Sequence, residues 1–356
     1  MDRKPAGIDF ALIGHQESWQ QVTGFVNTIR KQQMEPLSEE KVRSIFPFIP
    51  PRDLFKIRIS SSNGEVLNGV YIETFIAPDT LDAQHIRSNI LKVKEAANLA
   101  SKRGARIASL GGFTSIVIEG NTDLINMNGT CFTTGNTLTA AFIVKGVEKA
   151  AREMNLHLSS ANLLVIGATG DIGQAVSKYF SPKVNQLLLC ARNENRLSAL
   201  AEQLRKENLD VEYAASLESL VSKADIIISV ASATELQLQN LKRGVLICDA
   251  GYPKNLEVNI NADEVKLFHG GMGIVRAGFQ FIPDYTDLFY KFPAPYIVHG
   301  CILEAFVLCF ENRIESFSKG KGNISMDAME LIHAQAVSHG IELSPLYNAN
   351  GLWTSN

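Results

Sequence analysis

One stretch of this chain restricts its fold more than any other. Asn162 to Ile166 is an apolar run of strand length. Gly167, Gly170 and Gly173 follow at intervals of three, helical spacing continues to Tyr179, and a second apolar run from Leu187 to Cys190 ends at Arg192. Strand, glycine turn, helix and strand make one βαβ unit, the arrangement that seats a dinucleotide pyrophosphate on a helix N-terminus. Gly167 is expected to make the tight turn, Gly170 to let backbone approach the phosphates, and Gly173 to let helix and strand pack closely. Thr169, Asp171 and Ile172 lie in the same turn and join them as expected cofactor contacts.

The end of the second strand commonly presents an acidic residue to the ribose 2′-hydroxyl of NAD. This chain presents Arg192, with Asn193 beside it and Arg196 one helical turn on. A guanidinium suits a 2′-phosphate, so NADPH is the expected cofactor. In the competing reading, Arg192 and Arg196 pair with Glu194 and Glu202 on a solvated face. Strand and helix patterns then alternate through Val211 to Tyr213, Leu217 to Lys223, Asp225 to Ala231, Val245 to Asp249 and Val265 to Phe268, as a doubly wound parallel sheet requires. The loops Ala231-Ser232 and Ala250-Gly251-Tyr252-Pro253 close the fourth and fifth strands; Ala231 and Gly251 are the expected nicotinamide contacts.

A chain of 356 residues, 46% hydrophobic and 20% charged, has material for two domains with real cores. Its net charge of −3 gives no bulk attraction for nucleic acid. Five cysteines without a C-x-x-C pair or a metal-ligand spacing fit reduced thiols of the cytoplasm and no metal centre. No apolar signal region follows Arg3 and Lys4, and the lipophilic stretch Pro293 to Phe310 carries His299 and Glu304. A cytoplasmic protein without a transmembrane segment is expected. Before the glycine turn, residues to about 50 are mixed. Asn63-Gly64 reads as a hairpin turn between Leu54–Ser60 and Val66–Phe75. Ala83 to Ser101 reads as a helix, a short strand follows Gly111 and Gly112, and Thr137 to Met154 reads as a second helix. The tail after Pro295 reads as helical. The expected division is an N-terminal α/β substrate-binding domain (1–158), a Rossmann NADPH-binding domain (159–290) and a C-terminal helical segment (291–356).

Several further blocks are not generic to nucleotide-binding sheets: Leu12-Ile13-Gly14-His15, Leu110-Gly111-Gly112-Phe113-Thr114-Ser115-Ile116, Phe132-Thr133-Thr134-Gly135-Asn136-Thr137 and Gly251-Tyr252-Pro253-Lys254-Asn255. Together with Gly167 to Gly173 and Ala191-Arg192-Asn193, in this order, they give a chain that resembles the cyanobacterial-type long-chain acyl-[acyl-carrier-protein] reductases. The resemblance implies NADPH-dependent reduction of a fatty acyl thioester to a fatty aldehyde through a cysteine acyl-enzyme. It further implies acyl carrier protein, or CoA, as the acyl carrier and an aldehyde-consuming partner enzyme. The nucleophile of such enzymes lies in a Cys-x-x-Glu-Ala helix, which falls here on Cys301-Ile302-Leu303-Glu304-Ala305, making Cys301 the catalytic residue. Leu138 stands where the resemblance leads one to expect histidine, and the first 50 residues and Gly270 to Tyr290 match poorly.

Pro293 and Pro295 suit a helix start that would put Cys301 in the first turns, where the helix dipole favours a thiolate. From the residues alone, Cys301 reads first as part of an apolar face with Leu308, and Cys309 as its core counterpart. His299, two residues before Cys301, reads as structural; His15 reads as a cleft residue or a structural one. Gly112, Phe113, Thr114, Ser115, Gly135, Asn136 and Thr137 could line the acyl carbonyl site with N–H and hydroxyl groups. They could equally be turns and caps, with Asn136 or Thr137 capping the next helix. Arg87, Lys92, Lys94, Lys102, Arg103 and Arg106 outweigh Glu95 over 85–106 and suggest a docking face for an acidic carrier, or a solvated helix face. Three other readings stay open: a shikimate-dehydrogenase-like oxidoreductase acting on a small polar alcohol, a glutamyl-tRNA reductase, which the net charge disfavours, and a non-catalytic NADPH-binding regulator.

Overall fold

The computed structural model describes residues 7–30, 34–80, 84–117, 129–206, 210–231, 236–251, 254, 256, 265–319 and 322–353. The chain opens on β1 (Phe10–Gly14), whose first four residues are buried. Helices α1 (Trp19–Ile29) and α2 (Glu39–Ile45) follow, each started by a serine, Ser18 or Ser38, whose hydroxyl accepts a first-turn N–H. Strands β2 (Arg52–Ser60) and β3 (Val66–Glu73) form the expected hairpin, with Gly64 at φ 83° in its turn. Then come α3 (Ile86–Lys102), β4 (Ile107–Leu110), α4 (Phe113–Val117), β5 (Cys131–Thr133) and α5 (Asn136–Glu153). The strand thus precedes Gly111 and Gly112 instead of following them. The β-branched run after the glycines is helical because the Thr114 hydroxyl and N–H both turn back onto the Gly111 carbonyl.

The glycine turn joins β6 (Asn162–Ile166) to α6 (Asp171–Phe180). Next are β7 (Gln186–Cys190), α7 (Glu194–Arg205), β8 (Val211–Ala214), α8 (Glu218–Val221), β9 (Ile226–Ser229), β10 (Val245–Asp249) and β11 (Val265–His269). These six strands form one parallel sheet in the order β8–β7–β6–β9–β10–β11, the doubly wound order whose direction reverses between β6 and β9. Both faces are covered, so β10 is buried at all five positions, an apolar run from Val245 to Cys248 that ends on Asp249.

Beyond it lie β12 (Met272–Val275), β13 (Phe279–Ile282), α9 (Thr286–Phe289), β14 (Ile297–His299), α10 (Gly300–Phe310), α11 (Met326–Ser338), β15 (Ile341–Leu343), β16 (Tyr347–Asn348) and β17 (Gly351–Leu352). The tail expected to be helical is therefore mixed. Its strands of two or three residues are too short to show a period, and β12 fixes two of them by pairing antiparallel with β14 and β15. Strand β13 crosses back to pair with β2, completing a second six-stranded sheet, β13–β2–β3–β1–β4–β5, in which β3, β1, β4 and β5 run parallel.

Helices α5 and α10 lie in the core shared by the two large sheets. Leu138, Phe142 and Val147 of α5 and Leu303, Phe306 and Val307 of α10 join one buried cluster with Phe10 and Ile57 of one sheet and Leu163 and Leu187 of the other. Helix α10 is buried from Leu303 to Phe310, which accounts for its apolarity all round. Among the described residues no helix is long and apolar enough to cross a membrane.

Candidate active site

Cys301 occupies the second position of α10, which starts after His299. The Gly300 N–H donates to the Gly271 carbonyl at 2.8 Å, and the Ser109 hydroxyl, at the end of β4, donates to the Cys301 carbonyl at 2.8 Å. Gly135, at φ 69°, supports the same backbone from the other side: a Cβ there would lie 2.2 Å from both Cα and O of Cys301. Burial pushes the Cys301 thiol above its ordinary range. The backbone N–H groups of Gly112, Ile302 and Cys301 itself oppose that shift, while the Glu304 charge adds to it. Burial thus outweighs the helix-start effect expected to favour the thiolate.

Gly112 is placed by the crevice between β1 and β4, where the winding of the first sheet reverses. His15, just past β1, accepts the Phe113 N–H on Nε2 at 3.0 Å, so its Nδ1 carries the proton given to the Gln16 carbonyl at 3.1 Å. The ring is buried, which lowers its pKa, and it stands edge-on to Phe113 at 5.9 Å. His15 thus holds the loop that aims Gly112 at Cys301. Thr114 is fully buried and spends its hydroxyl on Gly111, and Ser115 is buried behind it.

A fully buried carboxylate joins the remaining pieces. Glu304, one turn after Cys301, accepts from the Thr133 hydroxyl, from the Leu138 N–H at 2.9 Å and from the Ser318 hydroxyl at 3.0 Å. Ser318 also accepts the Thr137 N–H at 2.9 Å. The first turn of α5 is therefore capped from a distant segment. Gly135 is its cap residue, so neither Asn136 nor Thr137 caps it as expected. Thr137 is committed to Ser318, whereas Asn136 donates to the Asp171 carboxylate at 2.9 Å and so links this cluster to the glycine turn.

In that turn Gly167 adopts φ 86°, and a Cβ would press within 3.0 Å of the Ala231 nitrogen; at Gly173 it would stand 2.2 Å from the Gly167 carbonyl oxygen. Gly170 precedes α6 without a side-chain cap, so the first N–H groups of that helix are left to an anion. The Asp171 carboxylate is turned aside to Asn136 and the Gly322 N–H, the Thr169 carbonyl accepts from Gln174, and Ile172 packs against the core. These positions fit a dinucleotide. Arg192 and Arg196 are exposed at the end of β7, and among the described residues neither forms an ion pair, whereas Asn193 caps α7 with its side chain. Gly251 is buried and donates to Asp249; Ser232, Tyr252 and Pro253 lie outside the described residues.

Groups that the sequence reading did not select collect beside Cys301. Asp249 and His269 are paired strand ends of β10 and β11, and His299 ends β14. Lys254 donates to the Asp249 carbonyl at 2.9 Å; the protein around its ammonium lowers its pKa, against the pull of Asp249, Cys248, Glu17 and Cys301. His269 and His299 are both held down to about 4, by burial first and then by Lys254, and are neutral near pH 7. The basic run of 85–106 is not one free face. Lys92 turns inward to the Ile49 and Phe75 carbonyls at 3.0 and 2.6 Å, and Arg103 pairs with Asp53 at 2.9 Å.

A family model described as shikimate/quinate 5-dehydrogenase matches residues 148–269, the nucleotide-binding sheet. The nucleotide-binding domain of a glutamyl-tRNA reductase from Thermoplasma volcanium matches at 21% identity and TM-score 0.27, over 36% of this chain and 84% of that one. Aminotransferase PigE of a Serratia species is 24% identical over 300 residues, 81% of this chain and 34% of that protein. The long-chain acyl-[acyl-carrier-protein] reductase of Synechococcus elongatus is 32% identical over 346 residues, covering 94% of this chain and 98% of that protein. With so much of both chains aligned, and a doubly wound nucleotide-binding sheet, this oxidoreductase belongs to the long-chain acyl-[acyl-carrier-protein] reductase family.

Proposed function

We propose that the protein reduces a long-chain fatty acyl thioester, carried on acyl carrier protein or CoA, to the fatty aldehyde, with NADPH as reductant and Cys301 as nucleophile. The observation that carries this reading is a single cysteine sulfur at a helix start, faced by the Gly112 and Ile302 N–H groups. The Cys301 thiolate attacks the thioester carbon, the carbonyl π electrons move to oxygen, and collapse expels the carrier thiolate, leaving the acyl group on sulfur. The N–H groups that surround the sulfur are the nearest donors for the oxyanion of that step. His15 and Ser109 act as positioning residues, one holding the Gly112 loop and the other the Cys301 carbonyl. NADPH, when bound, supplies the hydride that reduces the enzyme thioester. Gly167, Gly170 and the start of α6 would hold its pyrophosphate, and Arg192 and Arg196 its 2′-phosphate.

The carrier protein would dock at the start of α3. A crossover helix runs opposite to its strands, so Arg87 and Leu91 lie toward the strand ends that hold Cys301, with Lys94 at mid-helix and Lys102 about 22 Å beyond Arg87 at 1.5 Å per residue. Leu91 is 62% exposed, giving that end an apolar contact between two cations. The test is intact mass after incubation with palmitoyl carrier protein, for wild type and Cys301→Ala, before and after NADPH. An adduct on wild type alone, discharged as aldehyde by NADPH, is the expected result. No adduct on either protein, with NADPH still bound, would move the reading to a cysteine-independent dehydrogenase or a cofactor sensor.

A further inference from the structure

Apart from the cysteine crevice, the chain holds a cavity of about 580 Å³ between β13 and the segment before β14. Phe279, Phe281, Tyr290, Phe292 and Tyr296 form most of its wall, and Phe279 touches Phe281, Tyr290 and Tyr296 at ring separations of 5.3, 6.0 and 5.4 Å. Its size falls in the range of small-molecule sites, roughly 300–1,000 Å³, and Gln280, Asp284 and Thr286 add polar groups to its lining. Two positions are specialised to build it. Tyr296 adopts φ 63°, a left-handed conformation that bulky side chains avoid, and remains 41% exposed. Gly278 lies against its ring, and a Cβ there would come within 2.9 Å of it.

The wall is tied to β14, the strand that leads into the cysteine helix. The Tyr290 hydroxyl donates to the Ala294 carbonyl at 2.7 Å and accepts the Ile297 N–H at the first residue of β14, and the Phe292 ring stands edge-on to His299 at 5.6 Å. Ile297 to His299 is β14 and Gly300 and Cys301 begin α10, so the backbone from Ile297 to Cys301 advances about 10 Å. An extended backbone advances at most about 3.6 Å per three bonds, so a hydrocarbon chain gains about 1.2 Å per carbon and sixteen carbons span roughly 19 Å. A long chain esterified to the sulfur would overrun the cysteine crevice and need an apolar container within that reach.

We propose that this aromatic cavity takes the methyl-end half of the acyl chain while its carbonyl is on Cys301, and that it thereby sets the preferred chain length. This rests on the thioester reading above and adds the site of the chain. The test uses the full-length protein with octanoyl and palmitoyl CoA and carrier thioesters, together with fluorescence titration of cis-parinaric acid, an eighteen-carbon polyene. Ala294→Trp fills the cavity and Phe281→Ala removes part of its wall. Filling is expected to lower palmitoyl kcat/KM by roughly a hundredfold, and octanoyl far less, because several methylenes lose their burial. Both variants should weaken parinarate binding, and the wall variant serves if the filled one does not fold. Equal effects on both chain lengths, or unchanged parinarate affinity in a folded variant, would overturn the assignment. Parinarate binding that both variants weaken, in a protein that turns over no thioester, would keep the chain site and remove the reductase reading.

Discussion

Glu73, at the end of β3, is fully buried. One carboxyl oxygen accepts from Gln16 Nε2 at 2.8 Å and the Tyr71 hydroxyl at 3.0 Å, and the other accepts the Phe75 N–H at 3.1 Å. Burial nevertheless raises its pKa from 4.5 to about 7, with those three donors and Lys92 opposing the rise. Between these values the native protein binds more protons than the unfolded chain. Stability is therefore fully present below pH 4.5 and is lost as pH rises toward 7, by about 3 kcal/mol in all at 1.36 kcal/mol per decade. Glu73→Gln cannot ionise: its carbonyl can accept the Phe75 N–H while its amide faces Tyr71 and a flipped Gln16. The variant should match wild type near pH 4.5 and exceed its unfolding free energy by up to about 3 kcal/mol at pH 8, read from urea midpoints and m-values. Parallel stability–pH curves for the two proteins, or a glutamine variant weaker at pH 8, would refute the burial argument.

Three other outcomes follow from the site. Gly135→Ala adds a Cβ 2.2 Å from the Cys301 backbone at a left-handed φ; it should cost about 2–4 kcal/mol in urea unfolding and abolish the acyl adduct while leaving NADPH titration intact. Arg192→Glu with Arg196→Glu should raise the NADPH dissociation constant by about 10- to 100-fold, and that for NADH by less than about threefold, in nicotinamide fluorescence titrations; equal losses would remove the 2′-phosphate role. Because burial raises the Cys301 thiol, its alkylation by iodoacetamide, followed by peptide mass, should still accelerate as pH passes 9.0, the ordinary cysteine value; a plateau below pH 8 would contradict it.

The nucleotide-binding half was legible because each of its signals is local. Gly167, Gly170 and Gly173 sit within seven residues of one another, and the strands around them are uninterrupted apolar runs. Strand β1 was not assigned, because Phe10 to Gly14 follows a mixed N-terminus and gains its identity only by pairing with β3 and β4. Cys301 and Glu304 were visible as a motif, but the contacts that place them join residues far apart: Ser109 with Cys301, Leu138 and Thr133 with Glu304, Thr137 with Ser318. Glu73 left no signal at all, since a glutamate ending an alternating strand looks solvated until Gln16 and Tyr71 close over it.

The departure at Leu138 illustrates what such distant contacts require. A histidine lost from a site normally removes a donor, an acceptor or a proton carrier. At this position, however, Glu304 is held by the backbone N–H of residue 138, which leucine supplies equally well, while the Leu138 side chain is fully buried in the core shared by α5 and α10. The tie between the cap of α5 and the cysteine helix thus survives the change. His15, His269 and His299 lie at other strand ends around the crevice, His15 at the Gly112 loop and the other two near Lys254. A histidine side chain at 138 would enter that packed core, so Leu138→His should lower the urea midpoint before it alters the pH dependence of turnover.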